Sequence, residues 1–155
     1  MTKWIIVFLC GAAFLYYKYR PVRQVLNVPN TPEYRELVSS TTCAGKKSCV
    51  LIYVTPWCPA CEEMSPIIQQ WLVRAKNDAD VGFKVIVGME NARGDNQKLA
   101  KRYAPVSIID HRRKIHDLLG VRYYPTLLMV KTNGDVLAHD EKVIEWAMNR
   151  YNAGP

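Results

Sequence analysis

Apolar residues along the chain follow two different periods. The run VLIYV at residues 50–54 is continuous and rich in β-branched and aromatic side chains, which is typical of a buried strand. Residues 83–87 predict a second buried strand. After Pro59 the apolar positions recur at helical spacing, which predicts a helix over residues 59–76. The chain therefore contains both strands and helices.

The rest of the chain continues this alternation. Thr31 as a cap and Pro32 in the first turn predict a short helix that runs to about residue 38. The later pattern predicts a helix over 95–103, a strand over 106–109, a helix over 112–119 ended by Gly120, strands over 126–130 and 136–138, and a last helix capped by Asp140. This order indicates an α/β fold with a central mixed sheet.

Composition is that of one globular domain. The 155 residues are 49% hydrophobic and 23% charged, and five are cysteines, which excludes a disordered chain, a collagen-like chain and a small disulfide scaffold. The net charge of +7 falls to +3 when the four basic residues before Glu33 are set aside. We therefore expect no nucleic-acid partner.

The N-terminus has the pattern of a membrane segment. Residues 4–17 carry no charge, Lys3 precedes them and Lys18 follows them. We predict an uncleaved anchor over residues 1–20, with a cleaved signal sequence as the alternative. Residues 21–32 contain three prolines and predict an extended linker to a domain over residues 33–155. The basic residues on the two sides are too evenly divided to orient the anchor.

The residues with the clearest chemistry are Cys58 and Cys61, which lie where a predicted strand ends and a predicted helix begins. A helix N-terminus offers free N–H donors and a partial positive charge, which stabilise an anion such as the Cys58 thiolate. We predict Cys58 as the attacking thiol and Cys61 as the resolving thiol. Pro59 suits the first helical turn, and Trp57 would shield one side of the sulfurs. A lone CxxC pair also occurs in zinc sites, and that alternative stays open.

This arrangement resembles the thioredoxin-like superfamily. The resemblance rests on the strand, the CxxC pair and the helix, on Pro66 within that helix, and on residues 120–129 around Pro125. It implies that the Tyr124–Pro125 peptide bond is cis and that Pro125 lies against the active-site disulfide. Tyr124 would then offer its backbone to an extended substrate.

The segment before the cis-proline carries an extra predicted helix and strand. This insertion is similar to that of the TlpA-like thiol–disulfide oxidoreductases, which are often tethered by one N-terminal helix outside the bacterial cytoplasm. The acids typical of the two groups are absent, because Met64 and Ile52 stand at their positions. Glu90, which follows a buried strand, is our candidate for the proton relay.

Two further cysteines lie outside the CxxC pair. Cys43 and Cys49 flank a short loop and could form a structural disulfide, or Cys49 could be a small buried residue and Cys43 a loop thiol. We expect no metal site, because an extended strand separates the two cysteine pairs by at least about 15 Å. The three histidines are expected at the surface. The basic run at residues 110–114 is expected to be a solvated helix start, with a docking patch for an acidic partner as the alternative.

Together these features predict a membrane-tethered thiol–disulfide oxidoreductase that reduces disulfides of extracytoplasmic, periplasmic proteins. No bound cofactor is expected, because the Cys58–Cys61 pair is itself the redox group. The expected partners are protein thiols and disulfides, and a membrane electron donor or acceptor. Two alternatives stay open: a binding or chaperone module without redox turnover, and a glutaredoxin-like enzyme that depends on glutathione.

Overall fold

A computed structural model describes residues 31–39, 42–89, 92 and 94–152. The elements in chain order are α1 Pro32–Ser39, β1 Ser48–Val54, α2 Pro59–Ala75, β2 Val81–Val87, α3 Asp95–Arg102, β3 Ser107–Ile109, α4 Lys114–Leu119, β4 Thr126–Lys131, β5 Val136–His139 and α5 Glu141–Tyr151. A 3-10 helix, His111–Arg113, directly precedes α4. The predicted anchor over residues 1–20 and the predicted relay residue Glu90 lie outside the described residues.

The five strands form one mixed sheet in the order β3-β2-β1-β4-β5. β1, β2 and β3 are parallel, whereas β4 runs antiparallel to both β1 and β5. β1 and β2 are buried at every position, which matches their continuous apolar sequence. The predicted α/β fold with a mixed sheet is confirmed, and the predicted insertion forms α3 and β3.

The core lies on both faces of this sheet. Alternate side chains of β1, such as Ile52 and Leu51, point to opposite faces, because the period of a strand is two. One layer contains residues of α2, α3 and α5, with Trp71 fully buried. The other layer contains residues of α1 and α4, with Tyr34 fully buried. Among the described residues, no helix is long and apolar enough to cross a membrane.

Helix ends follow the sequence signals with one exception. The Thr31 hydroxyl accepts the backbone N–H of Tyr34 at 3.3 Å, and α4 ends at Gly120 with a φ of 62°. Asp140 does stand directly before α5, but its side chain does not cap the helix. Its carboxylate accepts the backbone N–H of Leu127 instead, so Asp140 is the N-cap residue as predicted, but the side-chain hydrogen bond expected of a cap is absent.

The carboxyl ends of the parallel strands meet at one edge of the sheet. The chain that leaves β1 leads to Cys58, the chain that leaves β2 leads to Met89, and the chain that leaves β3 leads to Asp110. β4 runs the opposite way, so its first residue, Thr126, lies at the same edge directly after Pro125. Ligand sites in open α/β sheets form at such edges.

Candidate active site

The two CxxC cysteines lie at the N-terminus of α2. Cys58 is the N-cap residue, with extended backbone angles, and Pro59 takes the first helical position. The sulfur of Cys58 accepts the backbone N–H of Cys61 at an N···Sγ distance of 3.1 Å. This donor and the positive end of the helix dipole both stabilise negative charge on the Cys58 sulfur. Both cysteines are free thiols in this structure.

Cys61 has the opposite environment. Burial, and secondly the hydrogen bond with Cys58, raise the pKa of Cys61 to about 12. Cys61 therefore holds its proton near neutral pH. The asymmetry between a sulfur that receives an N–H donor and a buried protonated thiol is what an attacking and a resolving cysteine require.

The loop before β4 faces Cys58. The Tyr124–Pro125 peptide bond is cis, as the resemblance implied. The thiol of Cys58 donates a hydrogen bond to the carbonyl oxygen of Tyr124, with an S···O distance of 3.5 Å. The backbone that we expected to meet an extended substrate thus contacts the attacking sulfur itself.

Trp57 connects this loop to the end of β2. Its indole Nε1 donates to the carbonyl oxygen of Met89 at 2.5 Å, and about half of the side chain is exposed. The ring meets Tyr124 edge to face at a centroid distance of 5.3 Å. Trp57 therefore forms one wall beside the cysteine pair.

A buried polar network behind Tyr124 is the part of the site that the sequence did not reveal. Asp110, expected in a solvated run, is only 4% exposed. Its carboxylate accepts the Tyr53 hydroxyl at 2.7 Å and the backbone N–H groups of Ile115 and His116 at 2.9 Å and 2.8 Å. Burial, and secondly this hydrogen bond, raise the pKa of Tyr53. A methyl group at Gly88 would overlap the Tyr53 hydroxyl, so glycine is required there.

His116 extends the network to the cis-proline loop. It is buried, so the prediction that all three histidines lie at the surface is wrong. Its Nε2 lies 3.1 Å from the hydroxyl oxygen of Tyr124, and its Nδ1 lies 2.9 Å from the carboxylate of Asp117. One signal in the sequence was available: Tyr53 interrupts a buried apolar strand, and a buried tyrosine hydroxyl needs a partner.

Cys43 and Cys49 form a disulfide, with their Cα atoms 5.4 Å apart. The alternative of two free thiols is therefore wrong. Cys49 lies near the start of β1, whereas Cys58 follows the end of that strand, so the two pairs are at opposite ends of β1. No cluster of three or more His, Cys, Asp or Glu side chains suited to a metal ion occurs in the described part of the chain.

Comparison with known proteins finds one curated relative of low sequence identity. No family model matches the chain. The protein disulfide-isomerase of Ricinus communis is 24% identical over 140 residues, which cover 90% of this chain and 24% of that protein. This chain therefore spans about a quarter of the length of that relative.

Solved structures show the same fold at low sequence identity. A thiol-disulfide oxidoreductase from Bacteroides fragilis superposes with a TM-score of 0.56 at 12% identity, over 73% of this chain and 86% of that one. The dsbF protein of Mycobacterium tuberculosis gives a TM-score of 0.55 at 19% identity, over 75% and 84% of the two chains. The described residues therefore have the thioredoxin-like fold, and the neighbour from Bacteroides fragilis is a thiol–disulfide oxidoreductase.

Proposed function

We propose that this protein is a thiol–disulfide oxidoreductase that reduces disulfide bonds in other proteins. The observation that carries the proposal is the position of Cys58, which caps α2, receives the N–H of Cys61 and faces the carbonyl oxygen beside the cis-proline. The fold and its structural neighbours support the same chemistry. The reacting group is the cysteine pair itself, so the reaction requires no bound cofactor.

The reaction proceeds in two exchanges. The Cys58 thiolate attacks one sulfur of the substrate disulfide, whose S–S bond breaks as a mixed disulfide forms and one substrate thiolate leaves. Cys61 then loses its proton and attacks the Cys58 sulfur, which releases the second substrate thiolate and closes the Cys58–Cys61 disulfide. Two electrons pass to the substrate, and two protons complete its thiols.

The proton on Cys61 must leave before the second exchange. Because the pKa of Cys61 is raised to about 12, its attack needs a proton acceptor within reach. In the mixed disulfide Cys58 no longer raises the pKa of Cys61 through its hydrogen bond and charge, and the substrate thiolate released in the first exchange is available to accept the proton. Glu90 stays our candidate for a relay between Cys61 and solvent.

Trapping of the mixed disulfide tests the proposal. With Cys61→Ser, the full chain should accumulate a covalent complex with a disulfide-bonded protein such as insulin, because nothing resolves the Cys58 linkage. Cys58→Ser is the matched control and should trap nothing. Complexes that form equally well with Cys58→Ser would contradict the assigned roles. If the protein binds the substrate but reduces no disulfide, it is a binding module and the proposed enzymatic function is wrong.

The direction of electron flow follows from the reduction potential of the pair. A reductase should have a value near or below about −220 mV, in the range of thioredoxin and the glutaredoxins. A value near about −120 mV, that of a strong disulfide donor, would reverse the proposed direction. Equilibration of the full chain against glutathione, followed by alkylation of the free thiols, gives this value.

We further propose that the N-terminal apolar segment tethers the domain outside the cytoplasm, in the periplasm. The Cys43–Cys49 disulfide supports this compartment, because structural disulfides persist in oxidising surroundings. A reductase there must be recharged, so its partner would be a membrane electron donor. In intact cells, the full chain should stay with the membrane after carbonate washing and be cleaved by protease once the outer barrier is permeabilised. Release by carbonate, or protection from protease, would reject this placement.

A further inference from the structure

A cavity of about 1040 Å³ has Trp57, the residue directly before Cys58, as part of its wall. The rest of the lining comes from three places: Met89 beyond the end of β2, the start of α3, and the segment from the last residue of β3 to α4. The proposed reaction uses none of these residues except Trp57. This volume lies just above the range of about 300–1,000 Å³ that is typical of small-molecule sites, so the cavity has room for a peptide segment.

The segment between β3 and α4 gives this cavity a positive wall. Arg112 and Arg113 both line it and both are exposed. Within the described residues, Arg112 has no carboxylate partner, and Arg113 lies 3.6 Å from the exposed Asp117, a pair that contributes little. Asp110 also lines the cavity, but its carboxylate is occupied by three donors inside the fold. The free charges at the cavity are therefore cationic.

A buried polar atom that has no partner among the described residues points to a ligand. Asn96, in the first turn of α3, lines the cavity and is only 6% exposed. Its Oδ1 has no hydrogen-bond partner among the described residues. Buried polar atoms in folded proteins are almost always paired, so a bound molecule that donates an N–H would complete this site. A carboxylate for the two arginines and an N–H for Asn96 are both present in an acidic peptide.

Backbone conformation is also unusual around this cavity. Met89, Arg112 and Arg113 line it and have φ values of 58°, 60° and 60°. They account for three of the four non-glycine residues with positive φ in the described chain. Such conformations cost on the order of 1 kcal/mol each and persist where the surrounding structure holds them, often at binding sites.

We propose that this cavity binds an acidic side chain of the protein substrate, a few residues from the cysteine that Cys58 attacks. The inference rests on the proposed function and deepens it by naming a substrate class. Trp57 is common to the cysteine pair and the cavity, so one extended segment can reach both. Arg112 and Arg113 then select substrates by charge, whereas the cysteines carry out the exchange.

The test compares two disulfide peptides of otherwise identical sequence. One carries three glutamates next to a cysteine, and the other carries three glutamines at the same positions. The readout is the second-order rate constant for their reduction by the reduced full chain. Wild type should prefer the acidic peptide by about tenfold, since each charge-assisted contact is strong but partly exposed to water. In Arg112→Gln/Arg113→Gln, whose folding is checked by urea unfolding, this ratio should fall to about twofold or less.

A matched variant separates the cavity from overall charge. Lys76→Gln/Lys142→Gln removes the same two charges from exposed positions that do not line the cavity, and should keep the tenfold ratio. Arg112→Lys/Arg113→Lys should keep most of the preference. Arg112→Glu/Arg113→Glu should reverse it toward a peptide with lysines at the three positions.

Each contrary result has a distinct meaning. If wild type reduces both peptides equally, the inference is overturned and the proposed function stands. If it reduces neither, both are overturned. A preference that survives in Arg112→Gln/Arg113→Gln rejects the cavity as its source. If glutathione disulfide reacts as fast as the acidic peptide and slows with the arginine replacements, the cavity serves a small tripeptide and the protein-segment assignment is wrong.

Discussion

Replacement of Asp110 by asparagine should weaken the attachment of α4 to the sheet. One carboxylate oxygen accepts the Tyr53 hydroxyl at 2.7 Å and the N–H of His116 at 2.8 Å, and the other accepts the N–H of Ile115 at 2.9 Å. Asparagine keeps a single acceptor oxygen and adds an NH2 group. In either orientation of the amide, at least one of these donors loses its partner and faces another donor.

The expected loss of stability follows from the number of buried donors left without an acceptor. A buried donor left without an acceptor costs about 1–3 kcal/mol. Asp110→Asn should therefore lower the free energy of unfolding by about 2 kcal/mol, and Asp110→Ala by about 4 kcal/mol. Tyr53→Phe removes one donor and should cost about 1 kcal/mol in the wild type. It should cost much less after Asp110→Asn, because the two groups are coupled.

Urea unfolding of the four members of this cycle measures the coupling. Asp80→Asn is the control, since that half-exposed carboxylate forms an ion pair only with the exposed Lys47 among the described residues, at 2.9 Å. We expect the control to change the free energy by less than about 0.5 kcal/mol. If Asp110→Asn costs no more than Asp80→Asn, or if Tyr53→Phe costs the same in both backgrounds, the buried network does not hold α4.

Two further stability predictions concern the opposite end of the domain. Arg150 and the Tyr151 hydroxyl bind the Asp78 carboxylate, both at 2.7 Å, and hold the pKa of Asp78 well below its usual range. This stabilisation is complete above the unfolded-state pKa of about 3.9 and is lost progressively as the pH falls from there through the lower folded-state pKa. Asp78→Asn should therefore be less stable than the wild type at pH 7, and this difference should be clearly smaller at pH 2.5 in urea titrations. A difference in stability between wild type and Asp78→Asn that does not change with pH would contradict this prediction. Cys43→Ala/Cys49→Ala should lower the free energy of unfolding by about 2 kcal/mol, because the disulfide closes a loop with a sequence separation of 6. Dithiothreitol should destabilise the wild type by the same amount. An effect of dithiothreitol on the double variant would contradict the assignment.

The elements that could be predicted are those whose signal is local. β1 and β2 are continuous apolar runs, and the position of Cys58 between a strand and a helix is visible in a few residues. The insertion was predictable for the same reason, because α3 and β3 each have their own pattern. The cis bond at Pro125 required the resemblance to known proteins, since nothing in the spacing alone distinguishes it from a trans bond. The second cis bond, at Pro105, had no such support and was not predicted.

The parts that could not be predicted depend on contacts between distant residues. Asp110 and Tyr53 are 57 positions apart, and their hydrogen bond exists only because β3 joins the sheet beside β2. In the sequence, Asp110 begins a run of charged residues, and such a run is ordinarily solvated. The fold divides that run, since Asp110 turns into the core and the residues that follow it stay exposed. The spacing of apolar residues does not predict which member of a charged run is buried.

The insertion therefore affects the candidate active site in two ways. β3 places Asp110 at the edge of the sheet where Cys58 lies, and through α4 it places His116 against Tyr124, whose carbonyl oxygen contacts the Cys58 sulfur. The same segment carries Arg112, at the cavity wall beside the indole. Attack and resolution depend on the short CxxC segment, whereas alignment of the loop and, in our proposal, choice of substrate depend on the insertion. Loss of Cys58 should therefore abolish reduction of every disulfide, while changes in the insertion should alter which disulfides are reduced first.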